Sequence, residues 1–517
     1  MRFVIRRRTR REAPTFRFFT KFSFYIFLSA IFLYLLSYNA YLGVLSADIG
    51  FLIMLAAGLA LVFKKPAYGI LVLIFELLIG HDGHLFEFSG VSIRLALFMS
   101  VMAVWFGQKF FRKEPLKALK SNLAWPFVTL LGFIVFASWH GIFRNGLTTT
   151  VFGDIINYFY ILLFLPLYEV MNPVRKGKDS NINPIKNPEN KELWLSNGVK
   201  NFEFKQKLLE VVGGAVLALF AFSFFTLFMF ASGAVFIHGP FGFYWWLRQG
   251  ATAKITLMDF NFFRVVTPAH LLVLPICLIY LSSLLVKKLN ARKKYVIALL
   301  AGLCSFIILV NFGRAYLLGL IGAFFVLLIG ASPGRWLRFG AILALLLVIE
   351  MGLIVFFCSQ FQAGSFRLLT ERASTLLGPS EELSILNREE RLATTRDLLS
   401  QYPIFGTGLG TTITFFDPIL GENKTTYHLD WGWLEIWLEL SLFGLAAFLI
   451  FLWLTVKQGI IIARESLHPI SQRLLIGVSS GLIALVIATA TGPYLFHGLG
   501  MSYLAFCAAL VASAKGG

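Results

Sequence analysis

The stretch VVGGAVLALFAFSFFTLFMFA, residues 211–231, contains 21 consecutive residues and no charged side chain. It belongs to an apolar segment that begins near Leu208. An α-helix of about 20 apolar residues covers the ~30 Å hydrocarbon core of a bilayer, because each residue adds ~1.5 Å. This stretch therefore predicts a transmembrane helix.

Similar apolar stretches recur along the whole chain, and they are too long and too uniformly apolar to be strands of a membrane barrel. We therefore predict an all-α polytopic integral membrane protein with about 14 (12–14) transmembrane helices. The range reflects the second, third, ninth and tenth of these stretches, which are short. The candidate spans begin near Phe22, Ile49, Ala67, Val91, Leu123, Val151, Leu208, Val265, Tyr295, Ala315, Leu337, Trp431, Leu474 and Leu499.

The composition excludes a soluble globular protein. The 517 residues are 57% hydrophobic and 14% charged, whereas a soluble domain carries about a quarter charged residues. The net charge of +19 would suggest a nucleic-acid partner in a soluble protein. Here the basic residues lie between apolar stretches, so we expect no nucleic-acid partner. All four cysteines lie in apolar stretches, which favours buried thiols over disulfides or a metal site.

The basic residues predict the orientation, because cytoplasmic connections collect Lys and Arg. With both termini cytoplasmic, 34 of the 46 basic residues fall on the cytoplasmic side and 12 on the outer side. The predicted plan is a basic cytoplasmic tail (1–21), N-terminal helices (22–171), a cytoplasmic polar linker (172–207), central helices (208–358), a large periplasmic or extracellular loop between the eleventh and twelfth helices (359–430), and C-terminal helices (431–514).

The outer side holds ten Arg but only two Lys, Lys254 and Lys424. Arg presents a planar fork that suits phosphate and carboxylate, whereas Lys is a hydrated point charge. This bias indicates an outer surface that binds an anion; salt bridges between these arginines and the outer acids are the alternative. Five of the arginines are candidate site residues, two at span starts and three in the large loop: Arg264, Arg314, Arg372, Arg388 and Arg391.

His428 stands at the junction between the large loop and the next span, two residues before Asp430. Histidine has an ordinary pKa near neutrality, so it can take a proton from an acceptor hydroxyl. The alternative is a histidine that is hydrogen-bonded at a helix N-terminus beside Asp430.

Residues that suit a metal site are scarce in the outer segments. These segments contain no Asp-X-Asp pair, and residues 81–84 (HDGH) are a weak ligand cluster. We therefore expect no metal and no cofactor. Glu76 and Glu350 lie in apolar spans, where a carboxylate is costly and must face protein or water. They fit either a transporter or hydrogen-bonded packing residues.

Four motifs follow one another between Arg264 and Gly444. They are an Arg with small residues at a span start (Gly313-Arg314-Ala315), an Arg-then-Ser pattern (Glu371-Arg372-Ala373-Ser374), an Arg before a Pro-X-X-Gly-X-Gly turn (Arg388 or Arg391, then 403–408), and a His before an aromatic-Leu-Glu helix start (428–435). In this order they resemble the bacterial O-antigen ligase and O-antigen polymerase superfamily. Two departures are Ser441, where a Gly is common, and His-Leu-Asp in place of the more frequent His-Asn.

The resemblance implies a metal-independent inverting glycosyltransferase at the outer face of the bacterial cytoplasmic (inner) membrane. Its donor would be a glycan on a polyprenyl diphosphate, and its product a surface polysaccharide such as O-antigen, capsule or exopolysaccharide. A glycan or lipid-glycan would be the acceptor, and a chain-length regulator a further partner. His428 would deprotonate the acceptor hydroxyl and Arg372 and Asp430 would support the site, while the diphosphate would be bound by Arg264, Arg314, Arg388 and Arg391.

Two alternatives remain open from the sequence. One is a ligase that passes the glycan to lipid A–core or to another acceptor, since neither the loop nor the His motif distinguishes it from a polymerase. The other, from a different class, is a flippase or transporter of lipid-linked oligosaccharide. A flippase would distribute its anion-pairing residues through a central cavity rather than along one face.

Overall fold

The computed structural model describes residues 17–172, 188–234, 242–257, 262–286, 289–329, 333–361, 383–417, 421–427, 429–466 and 469–515. Helices make up most of them, in the order α1 (Lys21–Tyr41), α2 (Ala47–Lys64), α3 (Pro66–Ile79), α4 (Ile93–Phe111), α5 (Ala124–Asn145), α6 (Thr149–Phe159), α7 (Phe164–Met171), α8 (Pro188–Ala231), α9 (Phe243–Gln249), α10 (His270–Leu284), α11 (Ala291–Asn311), α12 (Arg314–Leu327), α13 (Pro333–Ser359), α14 (Leu383–Gln401), α15 (Gly432–Glu465), α16 (Pro469–Ala488) and α17 (Gly498–Lys515). Antiparallel hairpins join β1 (Glu87–Phe88) to β2 (Val91–Ser92), β3 (Lys254–Leu257) to β4 (Phe263–Val266), and β5 (Ile413–Asp417) to β6 (Glu422–Thr426).

Among the described residues, ten helical segments are long and apolar enough to cross a membrane. One of them, Thr149–Met171, combines α6, a short 3-10 turn and α7. The helices α3, α10, α12 and α17 are also apolar but shorter. These findings confirm a multi-pass, helical membrane protein; the count of fourteen spans and their orientation stay predictions.

Helical structure extends further into the polar segment 172–207 than its composition indicates. α8 begins at Pro188, so the second half of the expected linker is helical. Gln206, in the polar part of α8, is bonded to the segment before α1: the Arg17 amide donates to the Gln206 side-chain oxygen (2.9 Å), and the Gln206 amide group donates to the Arg17 carbonyl (2.7 Å). These bonds connect α8 to the segment that enters α1.

Small residues bring the central helices together. A Cβ atom at Gly319 of α12 would lie 2.7 Å from the Ala484 carbonyl oxygen of α16. One at Gly481 of α16 would lie 2.5 Å from Cβ of Pro275 in α10. Helices in a membrane associate through such close packing, because lipid offers no hydrophobic driving force between them. α10, α12 and α16 therefore form a closely packed centre.

One end of the bundle, here called the loop face, gathers several connections that contact one another. Of the large loop 359–430, the structure describes α14 and the β5–β6 hairpin on this face. The loop sequence has helical patterns at 365–377 and 386–401; the second corresponds to α14, and the first lies outside the described residues. The loop face comprises residues 80–92, 146–148, 262–269, 312–313, 402–417, 421–427, 429–431 and 489–497.

Candidate functional site

Helix α15 interrupts its regular backbone at Ser441, which has φ 80° and ψ 168°. In a regular helix the Leu442 amide would donate to the Leu438 carbonyl four residues earlier. Here the Leu438 carbonyl accepts from the Thr407 amide (2.6 Å), and the Leu442 amide donates to the Ile404 carbonyl (3.0 Å). The glycine-rich turn that contains Ile404 and Thr407 is therefore inserted into the break in α15.

The glycines of this turn allow close contacts with α5 and α6. A Cβ atom at Gly408 (φ 83°) would overlap the Gly141 amide of α5, and one at Gly410 (φ 77°) would overlap Val151 of α6. Positive φ values are readily adopted by glycine alone among common residues. The Gly410 amide also donates to Asp154 Oδ2 (2.9 Å). The turn is thus fixed between α5, α6 and α15.

Three acidic side chains meet next to this turn. Glu435 and Glu439 are one helical turn apart on α15, so they share a face, and they are only 4% and 2% exposed. Glu439 Oε2 accepts from the Tyr158 hydroxyl (2.8 Å) of α6. Asp154, which accepts from the Gly410 amide, lies near both glutamates. The acidic group therefore connects α15 to α6 and to the glycine-rich turn.

The segment that enters α15 is held at two successive residues. The Leu429 amide donates to Glu435 Oε2 (2.9 Å). Asp430 accepts from the Arg391 guanidinium of α14 (2.8 Å), which also lies 4.6 Å from the centre of the Phe415 ring. The acid at position 430 therefore serves as the ion-pair partner of a predicted site arginine.

Two further predicted arginines lie within electrostatic range of Tyr494, in the connection between α16 and α17. Burial raises the pKa of the Tyr494 hydroxyl, the positive charges of Arg264 and Arg388 lower it, and the negative charge of Asp430 raises it. Arg264 Nε donates to the Asn311 carbonyl (2.5 Å). This bond places Arg264 beside the turn that joins α11 to α12.

A second polar group lies where α3 and α4 reach the loop face. Arg94 Nε donates to Glu76 Oε2 (2.9 Å), and Nη2 donates to the His81 carbonyl (2.6 Å). Asp82 lies 3.8 Å from Arg94 and 3.4 Å from His497. Burial lowers the pKa of His497, although Asp82 opposes this shift. Glu76 therefore forms a buried ion pair with Arg94, which packs α3 against α4.

Among the predicted residues, Arg391 and Asp430 form an ion pair, and Arg264, Arg388 and Asp430 all lie within electrostatic range of Tyr494. Arg314 is the first residue of α12, three positions after the carbonyl that binds Arg264. His428 and Arg372 lie outside the described residues, so their assignments stay predictions.

Sequence reasoning overlooked the acidic group formed by Asp154, Glu435 and Glu439. A signal was present, since two acids four residues apart at the start of an apolar span are costly in lipid and must share a protein environment. Among the described residues, no group of three or more His, Cys, Asp or Glu is arranged to hold a metal ion.

The fold and these groups define a class: a polytopic membrane protein whose loop face gathers arginines from separate segments beside buried carboxyl groups. Residues 297–449 match the family model described as O-antigen ligase. This match confirms the resemblance to an O-antigen ligase/polymerase-like family that the motifs indicated. No curated protein matches the chain significantly. The matched range includes Arg314, Arg388, Arg391 and the whole 428–435 motif, whereas Arg264 and Tyr494 lie outside it.

Proposed function

We propose that this protein transfers a glycan from a polyprenyl-diphosphate carrier to an acceptor hydroxyl at its loop face. The family match supports a glycosyl-transferring enzyme that uses lipid-linked glycans. The observation that carries the proposal is the Arg391–Asp430 ion pair of the loop face, with Arg264 and Arg388 in electrostatic range of Tyr494, on which Asp430 also acts.

The leaving group of such a reaction explains why arginines are needed. A lipid diphosphate departs with two or more negative charges, and guanidinium groups bind phosphate oxygens through two parallel hydrogen bonds. Arg388 is exposed on α14, three residues before Arg391, so the two side chains share one face of that helix. Removing one donor that stabilises developing charge typically costs ~3–4 kcal/mol, or about 10²–10³ in rate.

His428 is proposed as the base that takes the proton of the acceptor hydroxyl. Asp430 already accepts a hydrogen bond from Arg391, so its proposed role is to orient that arginine rather than to act as the base. With a histidine base and arginines for the diphosphate, the proposed transfer proceeds by direct, inverting displacement without a metal ion.

We propose further that the reaction takes place on the outer side of the bacterial inner membrane and extends surface-polysaccharide repeats. A ligase would use the same donor and the same leaving group, so the two activities differ only in the acceptor. A chain-length regulator is the partner expected of a polymerase.

The test is complementation of a strain that lacks the gene, with surface glycans separated by chain length. We expect His428→Ala and Arg314→Ala to abolish long-chain glycan while the protein remains inserted. Arg396→Ala is the matched control, because Arg396 is an exposed arginine on α14 outside the proposed site, and it should keep the wild-type pattern.

The acceptor material distinguishes the activities. Loss of a polymerase leaves single repeats on the acceptor, whereas loss of a ligase leaves the acceptor without glycan. Wild-type chain lengths in both the His428 and the Arg314 variants would contradict the proposed mechanism.

A further inference from the structure

A crevice of about 470 Å³ opens at the end of the bundle opposite the loop face, between α8, α10, α15, α16 and α17. Helix α15 is 34 residues long; it begins at the loop face, and its last residue, Glu465, lines the crevice. Because Glu465 is exposed, it marks the mouth. The predicted orientation makes this end the cytoplasmic one. The crevice is therefore separate from the site proposed for glycan transfer.

Apolar side chains form the walls of the crevice. They include Leu209 of α8, Ile279 of α10, Leu474 of α16 and Phe506 of α17, all of them only partly buried. A second, smaller space of about 110 Å³ is lined by Leu209, Ile279 and Phe506 as well, and it extends along α10 to Leu272. The two adjoining spaces thus lead from a charged mouth into an apolar interior, an arrangement that suits a hydrocarbon chain.

Two opposite charges line the mouth without pairing with each other. They belong to Lys205 of α8 and to Glu465, and neither has an ion-pair partner among the residues that the structure describes. Lys207 differs, because it pairs with Glu203 at 3.1 Å and lies over the Tyr68 ring. Residues two positions apart on a helix do not share a face. The side chain of Lys205 runs along apolar surface, and its ammonium group is placed to meet an anion.

We propose that this crevice binds one phospholipid of the adjacent membrane leaflet, with an acyl chain between its apolar walls. The headgroup phosphate pairs with Lys205, and the ammonium of an ethanolamine headgroup pairs with Glu465. Basic pockets between transmembrane helices are known to bind lipid headgroups. A headgroup with a net negative charge would bring its surplus charge next to the Glu465 carboxylate, so the paired mouth favours a zwitterionic lipid. This inference does not depend on the proposed glycan transfer.

The experiment is native mass spectrometry of the purified full-length protein, stripped of lipid in detergent and titrated with phosphatidylethanolamine or phosphatidylglycerol. Wild-type protein should bind one phosphatidylethanolamine about tenfold more tightly than phosphatidylglycerol. Lys205→Met should weaken the binding of both lipids at least tenfold. Glu465→Gln should remove the preference between them, because the partner of the ammonium is lost.

Two further variants separate the site from general effects on the membrane protein. Lys207→Met removes a cation from the same helix but outside the crevice, so it should keep wild-type binding. Leu209→Trp fills the wall that both spaces share and should abolish binding of either lipid without a change of charge.

Thermal unfolding in detergent provides the second readout, because a ligand that binds the folded state stabilises it. Phosphatidylethanolamine should raise the unfolding temperature of wild type and of Lys207→Met, but not that of Lys205→Met. Without lipid, Lys205→Met should unfold no earlier than wild type, since it removes a charge without an acidic partner. Equal lipid binding by Lys205→Met and Lys207→Met would show that Lys205 merely extends to water. That result, a preference for phosphatidylglycerol, or no bound phospholipid in wild type would overturn the inference.

Discussion

Ser441 adopts a backbone conformation that ordinarily belongs to glycine. With φ 80° and ψ 168° it lies in a region that costs other residues about 1–3 kcal/mol. The resemblance described in the sequence analysis implies a Gly at this position, and the φ of Ser441 is one that glycine adopts without strain. The Ser441 hydroxyl compensates in part, because it accepts from the Gly444 amide (3.1 Å) and caps the second part of the helix.

Ser441→Gly should therefore stabilise the protein. It removes the backbone strain, and replacing a capping serine by glycine costs only a few tenths of a kcal/mol, so we expect a net gain of about 1 kcal/mol. Ser441→Ala should be destabilising by about 1 kcal/mol, because it loses the cap and keeps the strain. Thermal unfolding in detergent measures both. A lower unfolding temperature for the glycine variant than for wild type would show that the break is not strained.

At the residue scale the sequence singled out basic residues of the proposed site and missed the acidic ones. The arginines were recognisable because Lys is nearly absent from the predicted outer side, and Arg391 pairs with Asp430 in the structure; the roles of Arg264, Arg388 and Arg391 stay predictions. The bond from Tyr158 to Glu439 joins residues 281 positions apart, so no local pattern indicates it.

At the scale of elements, α3 and α4 are joined by a buried ion pair rather than by apolar packing alone. The side chains of Arg94 and Glu76 are 5% and 4% exposed, and their atoms approach to 2.9 Å. Two charges in such a place are tolerated only as a pair, because either one alone would be desolvated without compensation.

Arg94→Met should lower stability by about 3–5 kcal/mol, since it leaves the Glu76 carboxylate buried without its partner. The double variant Arg94→Met/Glu76→Leu should recover most of that loss, because two apolar side chains replace the pair. The unfolding temperature and the yield of folded protein in detergent measure the difference. If the double variant is as unstable as the single one, the ion pair is not the cause.

Elements that follow from hydropathy were predicted well, and elements that need long-range pairing were not. The apolar stretch that begins near Leu208 lies within α8, yet nothing in the composition of 172–207 indicated the helical start at Pro188. Gln206, in the polar part of this helix, is hydrogen-bonded to Arg17, 189 positions earlier, a long-range pairing that composition cannot show. The β5–β6 hairpin escaped prediction because its alternating stretch is only five residues long.

At the scale of the whole molecule, the sides of the bundle and its loop face have opposite character. On α13 the outward side chains Leu345, Val348 and Leu353 are 59%, 69% and 62% exposed. Exposed apolar surfaces of this extent mark contact with lipid. The charged groups of the proposed site instead collect at the loop face, where a lipid carrier can present its diphosphate while its hydrocarbon tail stays in the bilayer.

We propose that the loop face breaks the bond between a glycan and its diphosphate carrier. The most direct test is to reconstitute the purified protein in liposomes with a labelled polyprenyl-diphosphate glycan and to measure free polyprenyl diphosphate against glycan transferred. We predict one diphosphate lipid released for each glycan transferred, at a rate that EDTA does not change. Movement of the intact donor across the bilayer without release of polyprenyl diphosphate would contradict this account and favour a flippase.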